Sequence, residues 1–113
     1  MSPEALLERL RSAAAAVGAG HPLVARLLAF GPAVDAGSGA VHWLVVVDHR
    51  DRKAEAGVVR SLEEATPAPA EVFIVDERTY RLRERSERLG ATLRRAHVLY
   101  ARGPSAYAFG RSP

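Results

Sequence analysis

Val41-His42-Trp43-Leu44-Val45-Val46-Val47 is the stretch from which the fold is read. Apart from His42 the run is apolar and rich in β-branched side chains. It has none of the apolar–polar alternation of a half-exposed strand, so it predicts a strand covered on both faces. Such a strand needs neighbours beside it and helices above and below.

The flanking sequence supplies candidates for each. Ser2-Pro3 reads as an N-cap and first helical residue, and Leu6, Leu7, Leu10, Ala14 and Val17 share one helical face. Together they predict a helix over 3–17 that stops at Gly18. Residues 23–30 are apolar and precede Gly31-Pro32, which predicts a strand, and residues 31–40, with three glycines, read as a connection. Beyond the central run, Asp48 or Asp51 caps a helix over 51–65 built on Ala54, Val58, Leu62 and Ala65, closed by Thr66-Pro67-Ala68-Pro69. Residues 71–75 predict a third strand. Residues 77–96 predict a last helix with a seam of Leu82, Ser86, Leu89, Leu93 and Ala96, followed by a short strand over 97–101. The order implies one α/β domain over 1–101, a small mixed sheet flanked by helices, with residues 102–113 as a C-terminal tail.

Composition narrows the function classes. The 113 residues are 48% hydrophobic and 26% charged, which favours a globular domain over a disordered or fibrous chain. The chain contains no cysteine, which excludes disulfides and Cys-based metal centres. The apolar run near the N-terminus is too short and alanine-rich for a signal peptide or membrane span, so a cytoplasmic protein with no membrane partner is expected. The net charge of +3 divides unevenly: residues 1–77 carry seven Lys or Arg against eleven acids, and residues 78–113 carry nine Arg against two. The basic end suits an anionic partner, although the dominance of arginine over lysine, beside abundant alanine, is also what a GC-rich genome produces.

Four stretches then carry a family resemblance: Leu27-Leu28-Ala29-Phe30-Gly31, Ala40-Val41-His42-Trp43-Leu44-Val45-Val46-Val47-Asp48, residues 71–75, and Val98-Leu99-Tyr100. In element order they resemble the minimal nucleotidyltransferases of the DNA polymerase beta superfamily. Those proteins have a first strand ending in Phe-Gly-Ser and an Asp-x-Asp opening the second. A carboxylate comes next, on the third strand, and the final helix ends in Leu-Tyr. The resemblance implies a nucleotidyltransferase-like fold and also marks where this chain departs from the family. Pro32 stands where the family has its phosphate-contacting serine, and offers neither hydroxyl nor N–H. Ala40 and His42 stand at the two metal-binding aspartates, and Glu71 at the third carboxylate. Magnesium takes hard oxygen ligands, which an alanine and an imidazole do not replace, so no metal or other cofactor is expected.

Other readings of these residues are weaker. Gly31, Gly37 and Gly39 match neither the Walker nor the dinucleotide spacing and read as turn glycines. His42, Asp48, His49 and Asp51 include metal-ligand types, but His42 lies a strand away from the other three. No serine lies in a Gly-x-Ser-x-Gly elbow, and His21 and His97 are isolated in sequence. Arg81, Arg85, Arg88 and Arg95 recur at helical spacing as a candidate anion-binding stripe, partly balanced by Glu84 and Glu87 at i,i+4 positions.

The functional expectation is therefore a non-catalytic nucleotidyltransferase-like domain acting as a binding or assembly module, its partner a second copy or another protein. The alternatives are an active nucleotidyltransferase with unusual ligands, of the antitoxin-like kind that modifies a partner protein, and a small nucleic-acid binder using the arginine-rich helix.

Overall fold

The computed structural model describes residues 1–102, without the side chains of residues 87–89. Its centre is the run Val41–Val47, here β2, the second strand of a four-stranded mixed sheet of order β3-β2-β1-β4. The strand β1 (Val24–Phe30) pairs antiparallel with β2 on one side and with β4 (His97–Ala101) on the other. The strand β3 (Ala70–Asp76) runs parallel to β2, joined to it by the crossover helix that a parallel pair requires. Val45 and Val46 point to opposite faces and both are fully buried, so β2 is covered above and below as its unalternated sequence implies.

Three helices close the first face. The helix α1 (Pro3–Gly20) opens with Ser2 Oγ accepting the Ala5 N–H, and buries Leu6, Leu10, Ala14 and Val17. It does not stop at Gly18. Glycine is tolerated inside a helix, and Gly18 is buried because the Tyr100 ring of β4 lies directly on it; an added Cβ would overlap that ring. The missing side chain is what lets α1 approach the edge strand.

The stretch between β1 and β2 is not a simple connection either. It contains a short helix, α2 (Pro32–Ala36), with Pro32 in the first turn and Gly37 left-handed at φ +84° after it, and it drops Ala33 and Val34 into the core. The helix α3 (Arg52–Ala65) is the β2–β3 crossover, and Val58 and Leu62 are fully buried under the sheet. Asp51 is its cap, accepting from the Ala54 N–H at 3.1 Å. Glu55 reaches back to the Asp51 N–H at 2.7 Å and is held by Arg50 through two hydrogen bonds. At the other end Thr66 accepts from the Trp43 indole N–H at 3.0 Å and donates to the Leu62 carbonyl. A fully buried tryptophan thereby keeps its polar atom satisfied.

The second face is covered by the chain after β3, and here the expected single helix is two: α4 (Glu77–Glu84) and α5 (Glu87–Arg95). Asp76 caps α4 by accepting the Thr79 N–H at 2.7 Å. The chain turns at Arg85 and Ser86, and Ser86 offers its carbonyl to the Gly90 N–H to begin α5. A Cβ at Gly90 would stand 2.7 Å from the Glu84 carbonyl oxygen, so glycine allows the two helices to meet at the turn. The break returns Leu93 and Ala96 to the sheet, where they pack around Leu28, Leu44, Val46 and Tyr80. It also dismantles the expected seam, leaving Leu82 exposed.

Arg102 belongs to the folded body: its N–H bonds the Ala25 carbonyl, and its guanidinium reaches Asp48 and the Pro22 carbonyl. The remainder of the expected tail lies outside the described residues. No helix among the described residues is long and apolar enough to cross a membrane.

Candidate functional site

The residues singled out at the β1–β2 junction converge at one end of the sheet. Gly31 sits at φ +103°, a left-handed conformation that only glycine adopts readily, and a Cβ there would stand 3.0 Å from the His42 ring. The Ala33 N–H bonds the Ala40 carbonyl at 3.1 Å, tying the start of α2 to the start of β2. Pro32 packs beside Gly39, where a Cβ would stand 3.2 Å from the proline ring. In the parallel β2–β3 register His42 faces Glu71, and His42 Nε2 lies 3.8 Å from the carboxylate. Glu71 is mostly exposed, with 60% of its side-chain surface open.

These residues hold one carboxylate and one imidazole, a donor set unlike the hard oxygen cage magnesium takes. No group of three or more His, Asp or Glu able to hold a metal occurs among the described residues. His42 and the trio Asp48, His49 and Asp51 lie at opposite ends of β2. Asp48 is engaged instead by Arg102, whose guanidinium this contact holds above its ordinary pKa.

An aromatic cluster occupies the same end of the second face. Phe30, the cross-strand partner of His42, has its ring centroid 5.2 Å from the imidazole at an edge-to-face angle of 84°. Phe73 meets the imidazole at 5.9 Å and 77°, and stacks on Phe30 at an angle of 29° with centroids 6.4 Å apart. Beside the cluster is a cleft of about 250 Å³. Phe30, His42, Leu44, Phe73 and Val75 form its strand side, and Arg83 of α4 with Thr92 and Leu93 of α5 its helical side. Phe73 remains 46% exposed, unusual for a phenylalanine on a sheet face otherwise packed by helices. No ion pair or side-chain hydrogen bond occupies Arg83 among the described residues, whereas Arg81 is drawn to Glu77 at 3.3 Å.

Deeper on this face, Arg26 lies 3.5 Å from Glu77 and over the Tyr80 ring, 5.5 Å from its centroid. Burial pushes the Tyr80 phenol above its usual pKa. Arg26 Nε and Glu77 Oε1 are buried without partners among the described residues, so this pair is imperfectly satisfied.

The arginine stripe is not carried by one helix. Arg81 lies on α4, Arg85 caps it, and Arg95 lies on α5, so the spacing that would align them on one helix no longer applies; the Arg88 side chain is outside the described residues. Two elements of the site were not foreseen from sequence. Phe73 and Arg83 become neighbours only once β3 and α4 are folded, and the usable signal was the alternation of Glu71, Phe73 and Val75 on one strand face. Likewise His21 and Ser61 meet at 3.1 Å, joining the end of α1 to α3. Comparisons with protein-family models, curated proteins and solved structures return no match to this chain.

Proposed function

We propose that this chain is a non-catalytic nucleotidyltransferase-like domain in which the end of the sheet that would hold a catalytic metal serves binding instead. The observation that carries the reading is the fate of the three positions at which the resemblance implies carboxylates. His42 and Glu71 face each other across the β2–β3 pair and Ala40 directly precedes β2, but only Glu71 is an acid. The imidazole between them is packed edge-on against Phe30 and Phe73, and an apolar cleft lies beside it. Phosphoryl transfer depends on metal positioning and charge neutralisation, and these side chains supply neither. An aromatic-lined concavity with few polar groups is the usual construction of a ligand site.

The test is thermal melting with magnesium and each nucleoside triphosphate, on the native chain and on the double variant Ala40→Asp/His42→Asp. A ligand at about a hundred times its Kd stabilises by about 2.7 kcal/mol, easily seen in a melt. The native chain is expected to show no magnesium-dependent shift. The double variant should remain folded, because His42 is partly exposed and Ala40 lies at the strand entrance, and should gain such a shift from three clustered carboxylates. A magnesium-dependent nucleotide shift in the native chain overturns the non-catalytic reading.

A further inference from the structure

We propose that the cleft between the aromatic cluster and the α4–α5 turn takes a single-ring aromatic carboxylate, its ring against Phe73 and its carboxylate on Arg83. The inference rests on the preceding reading that this end of the sheet binds and does not catalyse. Size is the first argument. At about 250 Å³ the cleft lies just under the roughly 300–1,000 Å³ range of small-molecule pockets, so it has room for one ring and a short substituent.

Shape and surface chemistry are the second. The strand side presents Phe30 and Phe73 with ring planes inclined by 29°, and His42 edge-on to both. Aromatic groups favour offset-stacked and edge-to-face neighbours, and a flat ring entering beside Phe73 would meet both kinds while covering the exposed part of that side chain. An aliphatic chain of the same size would gain only area.

Charge is the third. Among the described residues Arg83 lines the cleft with no carboxylate on it, whereas Arg26 and Arg81 are drawn to Glu77. Glu71, the acid on this end of β3, faces His42 and is not part of the lining. A guanidinium beside an apolar floor favours an anion, and its planar fork matches the two oxygens of a carboxylate. Thr92 adds one hydroxyl. A phosphate dianion gathers more donors than one arginine and one hydroxyl provide, so the monovalent planar anion is the better match.

The experiment is a calorimetric titration of the full chain with benzoate, alongside benzamide, benzylamine, acetate and phenyl phosphate. Benzoate is expected to bind at micromolar to millimolar concentration and at least about tenfold more tightly than benzamide, the difference expected of a charge-assisted contact. Acetate and benzylamine should not bind measurably. Arg83→Gln should abolish the preference for benzoate over benzamide, and Phe73→Ala should weaken both alike. Both side chains are exposed, so these variants should keep a cooperative melt. The proposal is overturned if benzoate fails to bind, binds no better than benzamide, or is indifferent to Arg83→Gln. Tighter binding of phenyl phosphate would overturn the carboxylate assignment in favour of a phosphate ester. The magnesium and nucleotide melts separate the two ideas, since failure with benzoate leaves the non-catalytic reading untouched.

Discussion

The two faces of the sheet are built from the same strands and treated differently. On the first, α1, α2 and α3 cover the surface from end to end, and Val41, Trp43, Val45 and Val47 of β2 are fully buried. On the second, α4 and α5 cover Leu28, Leu44 and Val46, with Tyr80 of α4 packed among them, while Phe30, His42 and Phe73 are left at the margin. Since alternate residues of one strand feed the two faces, the difference does not arise in β2. It arises in the chain after β3, where two short helices joined at a turn replace one long one. A face closed along its length stabilises; a face closed over half its length leaves room for a partner molecule.

The largest expected effect separates these regions directly. Aspartate at Val45 or Val46 would bury an unpaired carboxylate under either set of helices, costing several kcal/mol out of the roughly 5–15 that hold a domain together. Neither variant should give a cooperative circular-dichroism melt. Phe73→Asp, on the uncovered part of the second face, should lose less, about 1–3 kcal/mol from strand propensity and the ring contacts with Phe30 and His42, and should keep a cooperative melt. A Phe73→Asp protein that unfolds like Val46→Asp would mean that the second face is closed along its whole length.

A smaller effect tests how tightly the first face is sealed at its edge. Gly18→Ala would drive a methyl group into the Tyr100 ring and is expected to cost about 1–3 kcal/mol, as overpacking does. Adding Tyr100→Leu should recover part of the loss. Urea titration of the two single variants and the double would measure the coupling, and strictly additive effects would mean that α1 and β4 do not press on each other.

How much of this was open to sequence reading depends on where the information lies. The covered strand was legible because seven consecutive residues carry it, and the mixed α/β sheet with its four strands emerged from similarly local patterns. The short helix α2 was signalled by Pro32 and Gly37 but hidden by the glycine content of its surroundings. The break between α4 and α5 was signalled by Ser86 and Gly90, yet Leu82, Leu89 and Leu93 also fit an unbroken helical period. Gly18 looked like a helix stop because its reason for being glycine, Tyr100, lies far along the chain. The cleft was least legible of all. Its lining comes from β1, β2, β3, α4 and α5, segments far apart in sequence that only the fold brings together.

The smallest effect compares the helix starts on the two faces. At the head of α3, hydrogen bonds from Arg50 and from the Asp51 N–H hold the Glu55 carboxyl below the usual range; at the head of α4, the Thr79 N–H does the same for Asp76. A carboxyl whose folded pKa lies below its unfolded one contributes stability above the ordinary carboxylate range, near pH 4. That contribution is lost as pH falls through the depressed folded value. Glu55→Gln and Asp76→Asn should each be less stable than the native chain at pH 7 and converge with it in acid, as tracked by melting temperature from neutral pH downward. A constant offset at all pH values would show that the carboxyl's charge plays no part at that helix start.

The sheet order carries a consequence for how the molecule is made. The strand β4 is the last described strand to leave the ribosome, yet its partner is β1, and Arg102 closes onto the Pro22 carbonyl from 80 residues away. Throughout synthesis of the intervening chain, β1 can pair with β2 on one side while its other edge stays bare, an exposed row of backbone donors and acceptors open to unwanted strands. Such late, distant pairing makes folding slower than local contacts would allow. A nascent chain paused before residue 97 should therefore be held by chaperones or be prone to aggregation, and release of the last few strand residues should let it fold.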